Sequence, residues 1–124
     1  MRLTFIHLDT FRGDWVHLRL DDSDLQALEQ AVMAAPDRPP VIRGAGGLRK
    51  VRFAPPSWGR GKSGAVRVIY AHLPAFETAV LFAAYGKNEK GDLGADERKI
   101  FVQILGAFAK HLRAQRKRFP PRDG

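Results

Sequence analysis

From Gly47 to Tyr70 the chain reads GLRKVRFAPPSWGRGKSGAVRVIY, and this stretch has little choice of shape. Two β-like runs, LRKVRF and AVRVIY, flank a loop too rich in Gly and Pro to be regular. The reading is a β-hairpin. It carries Arg49, Lys50, Arg52, Arg60, Lys62 and Arg67 and no carboxylate. Strand alternation puts Leu48, Lys50 and Arg52 on one face and Arg49, Val51 and Phe53 on the other. A hairpin charged in this way is suited to hold an anion, with phosphate the first candidate.

The flanking sequence completes an α+β chain. LTFIHL near the start reads as a short strand, with WVHLRL (Trp15 to Leu20) a second candidate. DDSDLQALEQAVMAAP reads as a helix with Ser23 as N-cap, Gln26 at capping-box spacing, and Leu25, Leu28 and Val32 on one face. Pro36 ends it, and VIRGAGG is a flexible approach to the hairpin. After AVRVIYAHL, the mostly apolar ETAVLFAAYGK suggests a central strand. ADERKIFVQILGAFAKHLRAQRKRF closes as a helix whose buried stripe is Ile100, Phe101, Ile104, Leu105, Phe108 and Leu112. The expected fold is a small antiparallel sheet, a three-strand meander plus an N-terminal strand, with helices packed on one face. The whole chain, 1–124, forms one domain, with a basic tail frayed from about residue 113.

Charge sharpens the functional question. The net charge is +8, and residues 38–76 hold eight Lys or Arg with no Asp or Glu. Concentration of charge on one hairpin favours nucleic acid over an inert basic surface. The chain has no cysteine, which excludes disulfides, thiolate nucleophiles and cysteine-ligated zinc. The start lacks a long apolar run and carries Asp9, so no signal peptide is expected, and no stretch reaches transmembrane length. A cytoplasmic protein without membrane contact is expected.

GRGKSG suggests a phosphate-binding loop, but Pro56 stands where the Walker pattern needs its first glycine, and a strand follows instead of a helix. Lys62 and the loop amides can still meet a phosphate. His7, His17, His72 and His111 show no metal-ligand spacing, so no metal and no cofactor are expected. His72 is a weak proton-transfer candidate. Arg67 interrupts an apolar strand, where an arginine rarely stays unpaired, and the hairpin offers it no acid. Convergence of Lys50, Arg52 and Arg67 on one anion is the economical reading. Trp58, in the Gly/Pro loop, is a candidate to stack on a base or to cover the sheet edge. Lys87 and Lys90 read in isolation as solvated loop lysines. The helix end bearing Lys110, Arg113, Arg116, Lys117 and Arg118 reads equally as an RNA contact or a solvated terminus.

Five short elements in order, GLRK at 47–50, RF at 52–53, GKSG at 61–64, RVIY at 67–70 and YGKNEKGDL at 85–93, resemble the RelE/ParE superfamily of type II toxin–antitoxin toxins, most closely its HigB-like branch. The resemblance implies a RelE/ParE-like fold. It also implies a ribosome-dependent mRNA endonuclease that inhibits translation without metal. A ribose 2′-hydroxyl supplies the nucleophile, and the protein supplies a base, phosphate-binding cations and an acid.

By position, Lys50 matches the family's general-base lysine and Arg52 the second basic residue on that strand. Arg67 matches the arginine at the scissile phosphate, and Lys87 the lysine of the GK pair closing the last strand. The chain departs from RelE where an arginine and later a tyrosine are expected, having Asn88 and Gly94 instead, so Tyr85 or Lys87 stands in for the acid. Arg49, Arg60, Lys62, Trp58 and Lys90 are the implied RNA-binding set. The implied partners are the ribosome and its mRNA, and a cognate helix-turn-helix antitoxin of HigA type that carries the complex to promoter DNA. A ParE-like gyrase inhibitor and a non-catalytic nucleic-acid-binding module are the alternatives.

Overall fold

In a computed structural model, described for residues 2–59, 66–87, 89 and 92–119, four strands and three helices form an α+β fold. Strand β1 is Thr4–His7, followed by helices α1 (Asp9–His17) and α2 (Asp22–Ala34). Strands β2 (Arg49–Phe53), β3 (Val66–Leu73) and β4 (Thr78–Gly86) make the expected meander, and α3 (Ala95–Arg118) closes the chain. The sheet order is β1-β4-β3-β2. The meander is antiparallel, but β1 joins β4 in parallel, so the sheet is mixed. The parallel strand is possible because two helices separate β1 from the meander and carry the chain back across the sheet.

The helices cover both faces, not one. Phe11, Trp15, Leu28 and Val32 of α1 and α2 pack with Val66, Val68, Tyr70 and Leu81. Phe101 and Leu105 of α3 pack on the other side with Ile69, Ala71, Val80 and Phe82. Every residue of β4 is buried, which requires cover on both faces and explains its unbroken apolar sequence. The β3–β4 register shifts between Ile69 and Tyr70, leaving Phe82 as an extra residue that turns toward α3 and lies 5.3 Å from Phe101.

Three local expectations change. WVHLRL is not a strand: Trp15 belongs to α1, one turn beyond Phe11, and the two rings stack at 5.1 Å. The alternation in WVHLRL was accidental, and Arg19 at φ +58° turns the chain out of the helix. The N-cap of α2 is Asp21, not Ser23. The Asp24 amide donates to Asp21 Oδ1 at 2.8 Å and the Asp21 amide to Asp24 Oδ2 at 3.1 Å. Ile100 on α3 is 53% exposed, and Val102 takes the packing position expected of it.

The approach to β2 is ordered. Ile42 and Leu48 are joined by a 2.7 Å backbone hydrogen bond, and both side chains are buried. Helix α3 continues to Arg118, so residues 113–118 of the expected tail are helical, and residues 120–124 lie outside the described residues. No described helix is long and apolar enough to cross a membrane.

Candidate active site

The ladder registers decide which hairpin cations meet. Arg52 lies directly opposite Arg67, and Arg67 directly opposite Tyr85. Directly paired residues point to the same face, with Cβ atoms about 5 Å apart. The three side chains therefore form one row across β2, β3 and β4. Lys50, two residues from Arg52, shares this face, which is the face that α3 covers further along the strands. The row grades from solvent to interior: Arg52 is exposed, Arg67 half-buried and Tyr85 buried. Two guanidiniums side by side on one face are suited to an anion.

Tyr85 is the buried end of the row. Burial, foremost, pushes its phenol above the usual tyrosine range, and Asp92 and Glu97 add to that while Arg67 opposes it. Like any phenol it is protonated at neutral pH and has a proton to give, and the upward push makes it a weaker acid than a free tyrosine. Sequence reasoning missed Asp92, which stands 3.8 Å (Oδ1) from Lys50 Nζ. The signal was there, because Asp92 is one of the two acids of the quoted YGKNEKGDL element. Its neighbour in that element, Glu89, accepts a hydrogen bond from the Gly86 amide at 2.8 Å and approaches His17 Nε2 at 3.3 Å. Glu89 thereby ties the end of β4 to α1.

Other candidate residues are placed elsewhere. Arg49 faces the opposite side of the sheet. Its guanidinium donates to the carbonyls of Asp37 and Pro39 at 2.9 and 2.7 Å, holding the connector after α2. The same connector takes a 2.6 Å hydrogen bond from the Tyr70 hydroxyl to Pro36, and burial pushes that phenol up to about 12. His72 pairs with Asp37 at 2.8 Å, and this hydrogen bond is the main reason the Asp37 carboxyl lies below its usual range. His72 alternates away from Arg67 and is remote from the row, which removes it as a proton donor there.

Trp58 sits in a 3₁₀ turn, Pro56–Trp58, half-buried against the α1–α2 core. Lys87 is exposed in the turn just past β4. Arg116 stacks over the Phe76 ring at 5.1 Å, at the other end of the sheet from the row. Arg60, Lys62 and Lys90 lie outside the described residues. Among the described residues no group of His, Cys, Asp or Glu could hold a metal ion.

No family model matches the sequence. Solved structures do resemble the fold. A double mutant of the E. coli toxin RelE in the free state superposes over 85% of this chain and 99% of its own, with a TM-score of 0.53 and 15% identity. The fold is that of RelE. A fainter likeness, with a TM-score of 0.49 and 16% identity, is to the conserved hypothetical protein HP0892 of Helicobacter pylori, over 70% of this chain and 97% of that one. The α+β architecture expected from sequence is therefore RelE-like, and the cationic row crosses the antiparallel part of its sheet.

Proposed function

We propose that the chain is the toxin of a type II toxin–antitoxin system, of HigB-like type, and cleaves mRNA on the ribosome. The observation that carries this reading is the row Arg52–Arg67–Tyr85 with Lys50 beside it. Cleavage by a ribose 2′-hydroxyl builds charge on a pentacoordinate phosphate and on the leaving 5′-oxygen. Two guanidiniums and an ammonium on one face answer the first need. A buried, protonated phenol at the inner end of the row answers the second. Tyr85 thus fills the acid position left open by Asn88 and Gly94, and Lys87, exposed next to it, can contact the RNA backbone. The family resemblance assigns the base to Lys50.

The toxin would work in the cytoplasm, on the ribosome. A neighbouring helix-turn-helix antitoxin of HigA type would neutralise it and carry the complex to promoter DNA. Induced expression of the chain alone tests the reading, with primer extension mapping cuts in translated messages. The expected result is growth arrest with cuts inside codons, and a loss of cleavage on Arg67→Ala of roughly a hundredfold or more. A DNA-damage response with intact mRNA would favour a gyrase inhibitor instead. A chain that neither arrests growth nor cuts mRNA would leave only a binding module.

A further inference from the structure

Cleavage by this route needs a group that takes the 2′-hydroxyl proton, and the geometry at Lys50 makes that residue a poor one. Its Nζ faces Asp92 Oδ1 at 3.8 Å. A lysine is ordinarily an ammonium at neutral pH, and an ammonium in an ion pair has no lone pair to accept a proton. The carboxylate opposite it does. We propose that Asp92 is the proton acceptor of the cleavage step and that Lys50 serves as a phosphate-binding cation that positions Asp92. This rests on the endonuclease reading above.

Several features favour Asp92 for this task. It is exposed enough to reach a substrate, with its side chain 54% accessible, while Lys50 is at 25%. One carboxylate oxygen is fixed from two directions, by Lys50 and by a 2.8 Å hydrogen bond from the Leu93 amide. Leu93 is itself buried in the α3 core, so the carboxylate hangs from a rigid point in the fold. Asp92 is close enough to Tyr85 to act on its ionisation, together with Arg67 and Glu97. Proton acceptor and proton donor thus both border the face that carries Arg52 and Arg67. Among the described residues, Lys50 of β2 pairs with the carboxylate, and Tyr85 of β4 feels its charge along with those of Arg67 of β3 and Glu97 of α3.

The step balances without a metal or other reagent. The 2′-O–H bond breaks and its proton passes to the Asp92 carboxylate as the oxygen bonds to phosphorus. The bond from phosphorus to the 5′-oxygen breaks, and that oxygen takes the Tyr85 proton. The products are a 2′,3′-cyclic phosphate and a 5′-hydroxyl. Exchange with water then returns a proton to Tyr85 and removes one from Asp92.

Single-turnover cleavage of an A-site codon on programmed ribosomes, measured against pH, tests the assignment. The wild type is expected to lose rate on the acid side as a carboxylate protonates. Asp92→Asn is expected to lose about a hundredfold to ten-thousandfold in rate and to lose that acid limb, while still binding ribosomes. Asp92→Glu should recover part of the rate. A wild-type rate that climbs through the alkaline range where a lysine deprotonates would return the role to Lys50 and overturn the proposal. So would an Asp92→Asn rate within threefold of wild type, and either result would leave the endonuclease reading intact. A wild-type protein that cuts nothing on ribosomes would overturn both.

Discussion

Asp24 shows how one side chain can join three parts of the fold. It is wholly buried, yet its oxygens accept from the Ser57 hydroxyl at 2.6 Å, the Ser57 amide at 3.0 Å and the Asp21 amide at 3.1 Å. It closes the α2 capping box and anchors the turn that carries Trp58. Burial is the largest influence and pushes its carboxyl up, but the hydrogen bonds from Ser57 and Asp21 together outweigh it, and the net position is below the usual range. A depressed folded-state pKa contributes stability above the unfolded value, near 4, and that stability is lost as pH falls through the folded value. Asp24→Asn is therefore expected to destabilise by about 1–3 kcal/mol at pH 7. In urea titrations its gap from wild type should narrow below about pH 4. A gap that stays constant from pH 7 to pH 3 would mean that ionisation of Asp24 does not contribute.

At the scale of elements, the sequence was legible where periodicity and burial agree. The hairpin strands, the central β4 and the long α3 all followed from pattern, because each is set by its own side chains. What was illegible depended on neighbours. The alternation in WVHLRL cannot reveal that Phe11 and Trp15 meet on a helix face. Nor does β1 say whether it will pair in parallel, since only the α1–α2 crossover determines that. In the site, Lys50, Arg52 and Arg67 were readable as a set, but Asp92 needed the fold to bring it against Lys50.

The loop before β2 shows the same dependence on neighbours. Gly44 and Gly46 both adopt positive φ, at +69° and +64°. A Cβ on Gly44 would meet nothing within 4 Å, whereas one on Gly46 would stand 3.3 Å from Val102 of α3. Gly44→Ala should lower stability by about 1 kcal/mol through backbone strain alone. Gly46→Ala should cost more, because the loop must also back away from α3. Equal thermal shifts for the two variants would show that this contact does not hold the loop.

The whole molecule is a sheet clad on both faces, with Lys50, Arg52 and Arg67 of the hairpin on the face that α3 covers further along. The row runs from solvent into that core, where Tyr85 belongs, so only its outer end can be altered without touching the packing. Arg52 is the cleanest case, because it is exposed and lies at the solvent end. If it meets an RNA phosphate, its contribution is the release of a condensed counterion. The logarithm of the binding constant then falls with the logarithm of salt by about 0.7 per phosphate for a single strand. Arg52→Ala should weaken binding to single-stranded RNA by a similar factor for unrelated sequences, and should reduce the salt slope by about one contact. Trp58, packed half-buried against the core, provides the contrast: Trp58→Phe should leave that slope unchanged, since it removes no charge. Filter binding at several salt concentrations measures both. An unchanged slope for Arg52→Ala would place the RNA backbone away from this row, and with it the reading that the row is a phosphate site.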